Sequence, residues 1–371
     1  MPRKVQRSLI QVICFLVILC VIIFLNRPQG TTKTFSWARI RYKTSSSIIP
    51  EARGICPGLA GSTKPALVVS HVVADGDTSW LDSLSPNYHI CIYNVDAPAD
   101  KSSKVLQVPA NRGHEAMAYL TFLIDNYADI PAAGAVFVHG NRFAWHNDHP
   151  EYDNVKLLRA LDVKRALQPV GYHNLRCDWS AGTCPASVPP QGSLEMRLSS
   201  TVSPWSARAA SDLALPRALR HIFGEEAGEE VVQLARNDAV RAQCCAQFVV
   251  AQERVWQHSR DEYIALRQWL LDGSDDGVAR NPQGGSKAAP GDDRVAGRIV
   301  SYLWHILFAR LGENGIDLDG LNRDSCPSAE DCYCRLYGKC TLTCRKPGSC
   351  QGQYVVPKYF KLPEDWEQTH P

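Results

Sequence analysis

The sequence predicts a layered α/β domain on a mostly parallel sheet, behind an N-terminal membrane helix and ahead of a Cys-rich, disulfide-bonded tail. Three observations carry this. β-rich runs alternate with an amphipathic helical segment between Ala66 and His139. An uncharged, mostly apolar run spans Leu9–Leu25. Six cysteines crowd between Cys326 and Cys350. Strand–helix–strand order favours helices packed on a parallel sheet.

Residues 1–8 carry Arg3, Lys4 and Arg7. As a helix, Leu9–Leu25 spans roughly 25 Å at about 1.5 Å per residue, enough for a thin bilayer. The alternative is a cleaved signal peptide. The run is longer than the usual signal core, and no small-residue cleavage site follows in Asn26–Gly30. Basic charge is densest before the span, which places residues 1–8 in the cytosol and the remainder in the lumen. Residues 9–25 are then a retained signal anchor. The expectation is a single-pass type II protein of the Golgi or another secretory compartment.

Residues 26–62, with a Thr-Ser-Ser-Ser run and several prolines, read as a stem. The domain proper is expected over 63–325. Its first strand is Ala66–Val73, its second Tyr88–Asp96 and a short third Lys104–Pro109. Ala116, Tyr119, Leu120, Leu123, Ile124 and Tyr127 then repeat with helical period, with Asn111 as cap and Pro131 beyond the end. A buried strand closes at His139. Further helices are expected over 206–226, broken near Pro216, over 228–238, over 260–273 and over 294–312. Gln243–Val250 reads as one more buried strand. Residues 273–293, polar and rich in Gly and Pro, read as a mobile loop.

Of 14 cysteines, Cys14 and Cys20 lie in the apolar run and 12 follow it. The tail, 326–371, holds six at a spacing that fits no common zinc pattern. Disulfides are expected there, and between Cys177 and Cys184 across their short loop; one or both of Cys244 and Cys245 join the same set. A net charge of +2 gives no footing for nucleic acid.

The densest chemistry lies in 137–149, FVHGNRFAWHNDH. His139 ends a strand, and His146, Asp148 and His149 follow within ten residues. These side chains suit a divalent metal, general acid–base work or substrate contact; a purely structural loop is the plain alternative. Gly140 would let a ligand approach the backbone. Asn111–Glu115 opens a helix, where backbone N–H groups and Arg112 suit an anion, although Glu115 is also stabilising there without any function. Asp77 and Asp96 follow strand ends and serve equally as turn residues. His71 and His305 read as core histidines. G-x-S-x-G, Walker A and G-x-G-x-x-G motifs are absent.

The segments VPANRGHEAMAYLTFLIDNYADIP, FVHGNRFAWHND, GYHNLRCDW, CCAQFVVAQERV, SYLWHILF and CPSAEDCYCRLYGKC together resemble a fungal family catalogued as a domain of unknown function (number 3431), from about Leu67 to Cys340. That family has no settled activity. A second resemblance, in the order of strands, acidic loop and Asn-x-Gly helix, is to glycosyltransferases of the GT-A type. It implies a GT-A-like fold, a nucleotide-sugar donor and an acceptor. Asp77, Asp96, Asn111, Arg112 and Gly113 would hold the nucleotide and its diphosphate. Glu115, Asn141, Arg142 and Trp145 would contact substrate. His139, His146 and Asp148 would be catalytic. The Asp-x-Asp of such enzymes is replaced here by His139-Gly140-Asn141, so either His146 and Asp148 supply the site for a metal such as manganese, or there is no metal site, or the fold has lost the transferase chemistry. Alternative expectations are a metal-dependent hydrolase or oxidase using His139–His149, and a non-catalytic carbohydrate-binding protein.

Overall fold

A computed structural model describes residues 3–25, 34–35, 37–44, 50–51, 53–96, 105–224, 234, 237–273, 287–311, 315–354, 356–357 and 360–370. Helix α1 (Arg3–Leu25) contains the stretch Val5–Phe24, long and apolar enough to cross a membrane, and none of it is buried against the rest of the protein. The strands are β1 (Thr34–Phe35), β2 (Ala66–His71), β3 (His89–Asn94), β4 (Leu106–Gln107), β5 (Ala135–His139), β6 (Tyr172–Asn174), β7 (Phe248–Val250) and β8 (Ile316–Asp317). The remaining helices are α2 (Glu115–Asp125), α3 (Asn154–Ala160), α4 (Val163–Ala166), α5 (Leu194–Val202), α6 (Ala207–Phe223), α7 (Gln252–Val255), α8 (Arg260–Asp272), α9 (Asp293–Ser301), α10 (Trp304–Leu307), α11 (Leu318–Ser325), α12 (Ala329–Tyr337) and α13 (Trp366–Thr369).

Six strands form one sheet in the order β4-β3-β2-β5-β7-β6. Neighbours among β4, β3, β2 and β5 are parallel, whereas β7 runs against both β5 and β6. Both faces are covered, so the central strands are apolar throughout rather than alternating. On one face Ala66, Val68, Phe137 and Phe248 meet α2, α8, α9 and α10 through Tyr119, Phe122 and Trp304. On the other, Leu67, Val69, Val136, Val138 and Val249 meet α3 and α12.

Several elements differ from expectation. The helix expected from Asn111 starts at Glu115; its N-cap is His114, at φ 53°, so Asn111 is not the cap. Helix α6 continues through Pro216, because Leu215, Leu219 and Ile222 keep its inner stripe in the core. The last helix divides into α9 and α10. The strand expected over Gln243–Val250 is only Phe248–Val250, since Cys245 and Ala246 adopt positive φ (148° and 55°). Most of the helix expected over 228–238 lies outside the described residues, as do 274–286 of the expected loop. Residues 287–293 are packed: Trp269 Nε1 donates to the Lys287 carbonyl, and Ala289 is buried.

Much of the expected stem belongs to the core. Strand β1 pairs with β8, Phe35 stacks on Trp37 at 4.2 Å, and Cys56 is disulfide-bonded to Cys91 of β3. Large aromatic rings contribute too much apolar area to stay in solvent when a core lies within reach. The C-terminal tail is likewise no appendage. Its helix α12 buries Cys332, Tyr333 and Leu336 under the sheet. For the same reason Cys177 does not pair with Cys184: the bonds are Cys177–Cys332 and Cys184–Cys326, fastening the loop after β6 to α11 and α12. Cys244–Cys245, Cys334–Cys340 and Cys344–Cys350 complete the set.

Candidate functional site

The carboxyl ends of β2, β3 and β5 share one edge, the position where open α/β sheets bind ligands. Because β7 runs the other way, the residues preceding it, Cys244–Gln247, reach the same edge. His71 ends β2, and Ser70 lies opposite His139 in register. Gly140 forms the floor between them. A Cβ there would lie 2.8 Å from Asp75 Oδ2 and 2.9 Å from His71 Nδ1, so only glycine permits this approach. Asp75 Oδ2 accepts the Val72 N–H at 3.0 Å and lies 3.8 Å from His71 Nδ1. That nitrogen is buried without a hydrogen-bond partner, so His71 is not the satisfied core histidine expected. Asp96 Oδ2 accepts the Val73 N–H at 2.9 Å and ties the β3 end to the β2 loop. Asp77 is exposed, and the Ser79 hydroxyl holds its carboxyl below the usual range.

His139 and His146 face each other, ring centroids 4.2 Å apart. His139 Nε2 lies 2.7 Å from the Cys245 carbonyl oxygen. A carbonyl only accepts, so Nε2 carries a proton and Nδ1 is the ring nitrogen that can act as an acceptor. His146 Nε2 is buried without a partner. Burial, then the charges of His139 and Arg176, push its pKa well below the ordinary value, which keeps the ring neutral. Trp145 is 37% exposed beside it, at 5.6 Å edge-on.

The rest of the loop is tied down. Arg142 grips Asp153 with two bonds of 3.2 Å, Asn141 Oδ1 accepts the Phe143 N–H, and Gln247 Nε2 donates to Asn147 Oδ1. Asn141 and Arg142 therefore shape the loop instead of presenting free groups to substrate. His149 Nδ1 accepts the Glu151 N–H. Asp148 departs furthest from expectation. It is 1% exposed, its Oδ2 accepts the N–H groups of Cys177 (2.6 Å) and Asp178 (3.3 Å), and its Oδ1 accepts the Tyr333 hydroxyl at 2.9 Å. Asp148 is an internal anchor for the tail and the loop after β6, not a catalytic or metal-binding group.

A metal held by His146 and Asp148 does not fit these residues. Among the described residues the one group of three ligand atoms within 4.8 Å of one another is Cys56, His89 and Cys91, whose two sulfurs are already joined. Asp148 has spent its oxygens on three donors.

The Asn111–Glu115 segment is also committed elsewhere. Arg112, buried, donates to the carbonyls of Leu270, Gly273, Pro290 and Gly291 and pairs with Asp293 at 2.9 Å. Asp293 Oδ1 also accepts the Gly113 N–H. The anion expected at this helix start is thus the protein's own Asp293, and Arg112 is not free for a diphosphate. Asn111 is exposed and Glu115 half-buried. We expect Arg112→Ala to lower unfolding free energy by on the order of 3 kcal/mol, because several buried carbonyls lose their donor. A denaturant midpoint equal to the parent's would refute this.

Sequence reasoning missed Asp75 as a partner of His71, and it missed the Cys245 carbonyl and Gln247 altogether. The adjacent cysteines before a buried strand were the available signal. The family model described as "Protein of unknown function (DUF3431)" matches residues 67–335, a span covering every residue of this edge. No curated protein and no solved structure matches the chain.

Proposed function

The chain belongs to the family described as protein of unknown function (DUF3431), and we propose that it is a membrane-anchored enzyme of the secretory pathway that transfers a sugar from a nucleotide donor to an acceptor hydroxyl. In this reading α1 is a type II anchor, the domain is lumenal in the Golgi or a neighbouring compartment, and the fold is GT-A-like. The disulfides favour an oxidising lumen. The observation that carries the reading is the His139–His146 pair at the carboxyl edge, with His139 Nδ1 left as an acceptor. His139 takes the acceptor's proton as its oxygen bonds to the anomeric carbon and the nucleoside diphosphate departs. In this reading neutral His146 lines the same spot, Trp145 offers a face to a sugar ring, and Asp77 and Asp96 would accept from ribose hydroxyls.

A second reading, a carbohydrate-binding protein without turnover, is favoured by one observation. Arg112, the basic side chain assigned to the diphosphate, is bound up internally.

The test is a panel of nucleotide sugars, with and without divalent metals, read by thermal shift and by release of nucleoside diphosphate. We expect one donor to stabilise the protein and to turn over. His139→Ala and His146→Ala should lower turnover by about 10²-fold or more. Replacing His146 should leave the melting temperature close to the parent's, since its Nε2 makes no bond. Sugar binding without turnover would select the second reading, and full activity in both variants would remove His139 and His146 from the site.

A further inference from the structure

Away from the carboxyl edge, the outermost strand β6 borders a cavity of about 300 Å³. Its walls include Val170, Tyr172, Leu311, Ile316 and Leu321, with Arg310 and the exposed Asp324 also lining it. It adjoins a chamber of about 10 Å³, close to the room of a single water-sized group, lined by Tyr172, His173, Gln243, Ser301 and His305. Tyr172, His305, Asp324 and Ser325 line both spaces.

Two of the lining residues are buried histidines. His173 and His305 are 5% and 3% exposed, and Nε2 of each is buried without a partner among the described residues. His173 Nδ1 lies 2.7 Å from the Asn174 carbonyl oxygen. That carbonyl can only accept, so Nδ1 holds the proton and Nε2 is left as a pure acceptor. Burial pushes the pKa of His173 down to about 4 and of His305 down to about 3, so both rings are neutral.

We propose that this cavity binds a neutral amphipathic alcohol, whose hydroxyl donates to His173 Nε2 in the chamber while its apolar body lies against Tyr172 and Leu321. A buried acceptor without a donor is destabilising, and a hydroxyl supplies the missing donor. An ether of the same shape brings no donor. A carboxylate brings no proton either, and it meets two neutral rings with Asp324 alongside. An ammonium group would donate, but no buried carboxylate in the chamber offsets its desolvation. The site does not depend on sugar transfer, because none of its residues belongs to the His139–His146 edge.

The probes are cyclohexanol, cyclohexyl methyl ether and cyclohexanecarboxylate, added to the full chain in lipid nanodiscs with ¹⁵N-labelled histidine. We expect cyclohexanol to shift the His173 Nε2 resonance saturably and the other two to leave it in place. Ala309→Phe, filling the cavity from a half-buried position, should weaken the response by about tenfold or more. His173→Phe should abolish alcohol binding, and if that variant fails to fold, Ala309→Phe decides alone. Equal binding of ether and alcohol, a His173 resonance unmoved at saturating alcohol, or an Ala309→Phe variant that binds normally would each overturn the proposal.

Discussion

Asp148→Ala is expected to unfold the domain or bring it close to unfolding. The carboxylate is sealed from solvent and accepts from the Cys177 and Asp178 backbones and from the Tyr333 hydroxyl. The charge of Asp148 also acts on Arg176, which is 1% exposed and donates to the carbonyls of Trp145 and His146. Removing the carboxylate strands three donors and takes a counter-charge from a buried guanidinium. Breaking a buried charged network in this way costs about 3–5 kcal/mol. Against a typical stability of about 5–15 kcal/mol that is a large share. The affected groups join the loop after β6 to α12, so the Cys-rich region should loosen first, within the limits set by Cys177–Cys332. Denaturant midpoints for the parent, Asp148→Ala and His146→Ala measure the effect. An Asp148→Ala midpoint level with that of His146→Ala would mean that the carboxylate is not the anchor described.

Acidification is expected to destabilise the protein between about pH 6.5 and 4. His173 and His305 have folded-state values of about 4 and about 3, below the ordinary 6.5. Depressed values mean that the unfolded chain binds more protons as pH falls through 6.5, so the equilibrium moves toward unfolding. The stability these rings contribute is complete above the unfolded value and is lost as pH falls toward the folded one. From pH 7.5 to pH 5 each ring loses about 2 kcal/mol, or about 4 kcal/mol together. His146 adds to this in the same direction. Burial raises the carboxyls of Asp125, Asp178 and Asp212, which offsets part of the loss at the acid end. Urea midpoints at pH 7.5, 6 and 5 report it, and His305→Leu should flatten the dependence. A parent midpoint that rises or holds steady over this range would contradict the buried neutral state of these rings.

The strands that build the candidate edge were legible where their composition left no choice. Leu67–Val69 and Val136–Val138 are unbroken β-branched or apolar runs, and β2, β3 and β5 fall within two residues of their expected ends. Short elements were not legible. Strand β6 is three residues long and is held as a strand by β7 alone, through pairing with residues more than 70 positions away. The reach of the aromatic residues near the N-terminus into the core was equally hidden, since Phe35 and Trp37 find their partners near Phe223 and Ile316.

Within the 139–149 run the residue types were readable but their division of labour was not. His146 and Asp148 stand two positions apart and look equivalent in a sequence. Which of them faces a ligand depends on where the following chain goes: residues 177–178 and 333 close over Asp148, while His139, held by the Cys245 carbonyl, faces His146. The same holds for Arg112, whose helix-start setting suggests an anion from outside until Asp293 arrives from α9 to supply one. Local sequence determines backbone period, apolar faces and the stock of ionisable groups, because those depend on neighbours within a few residues. The protonation, pairing and exposure of those groups depend on segments from tens of residues to well over a hundred away, and only the packed chain brings these close enough to compete with water.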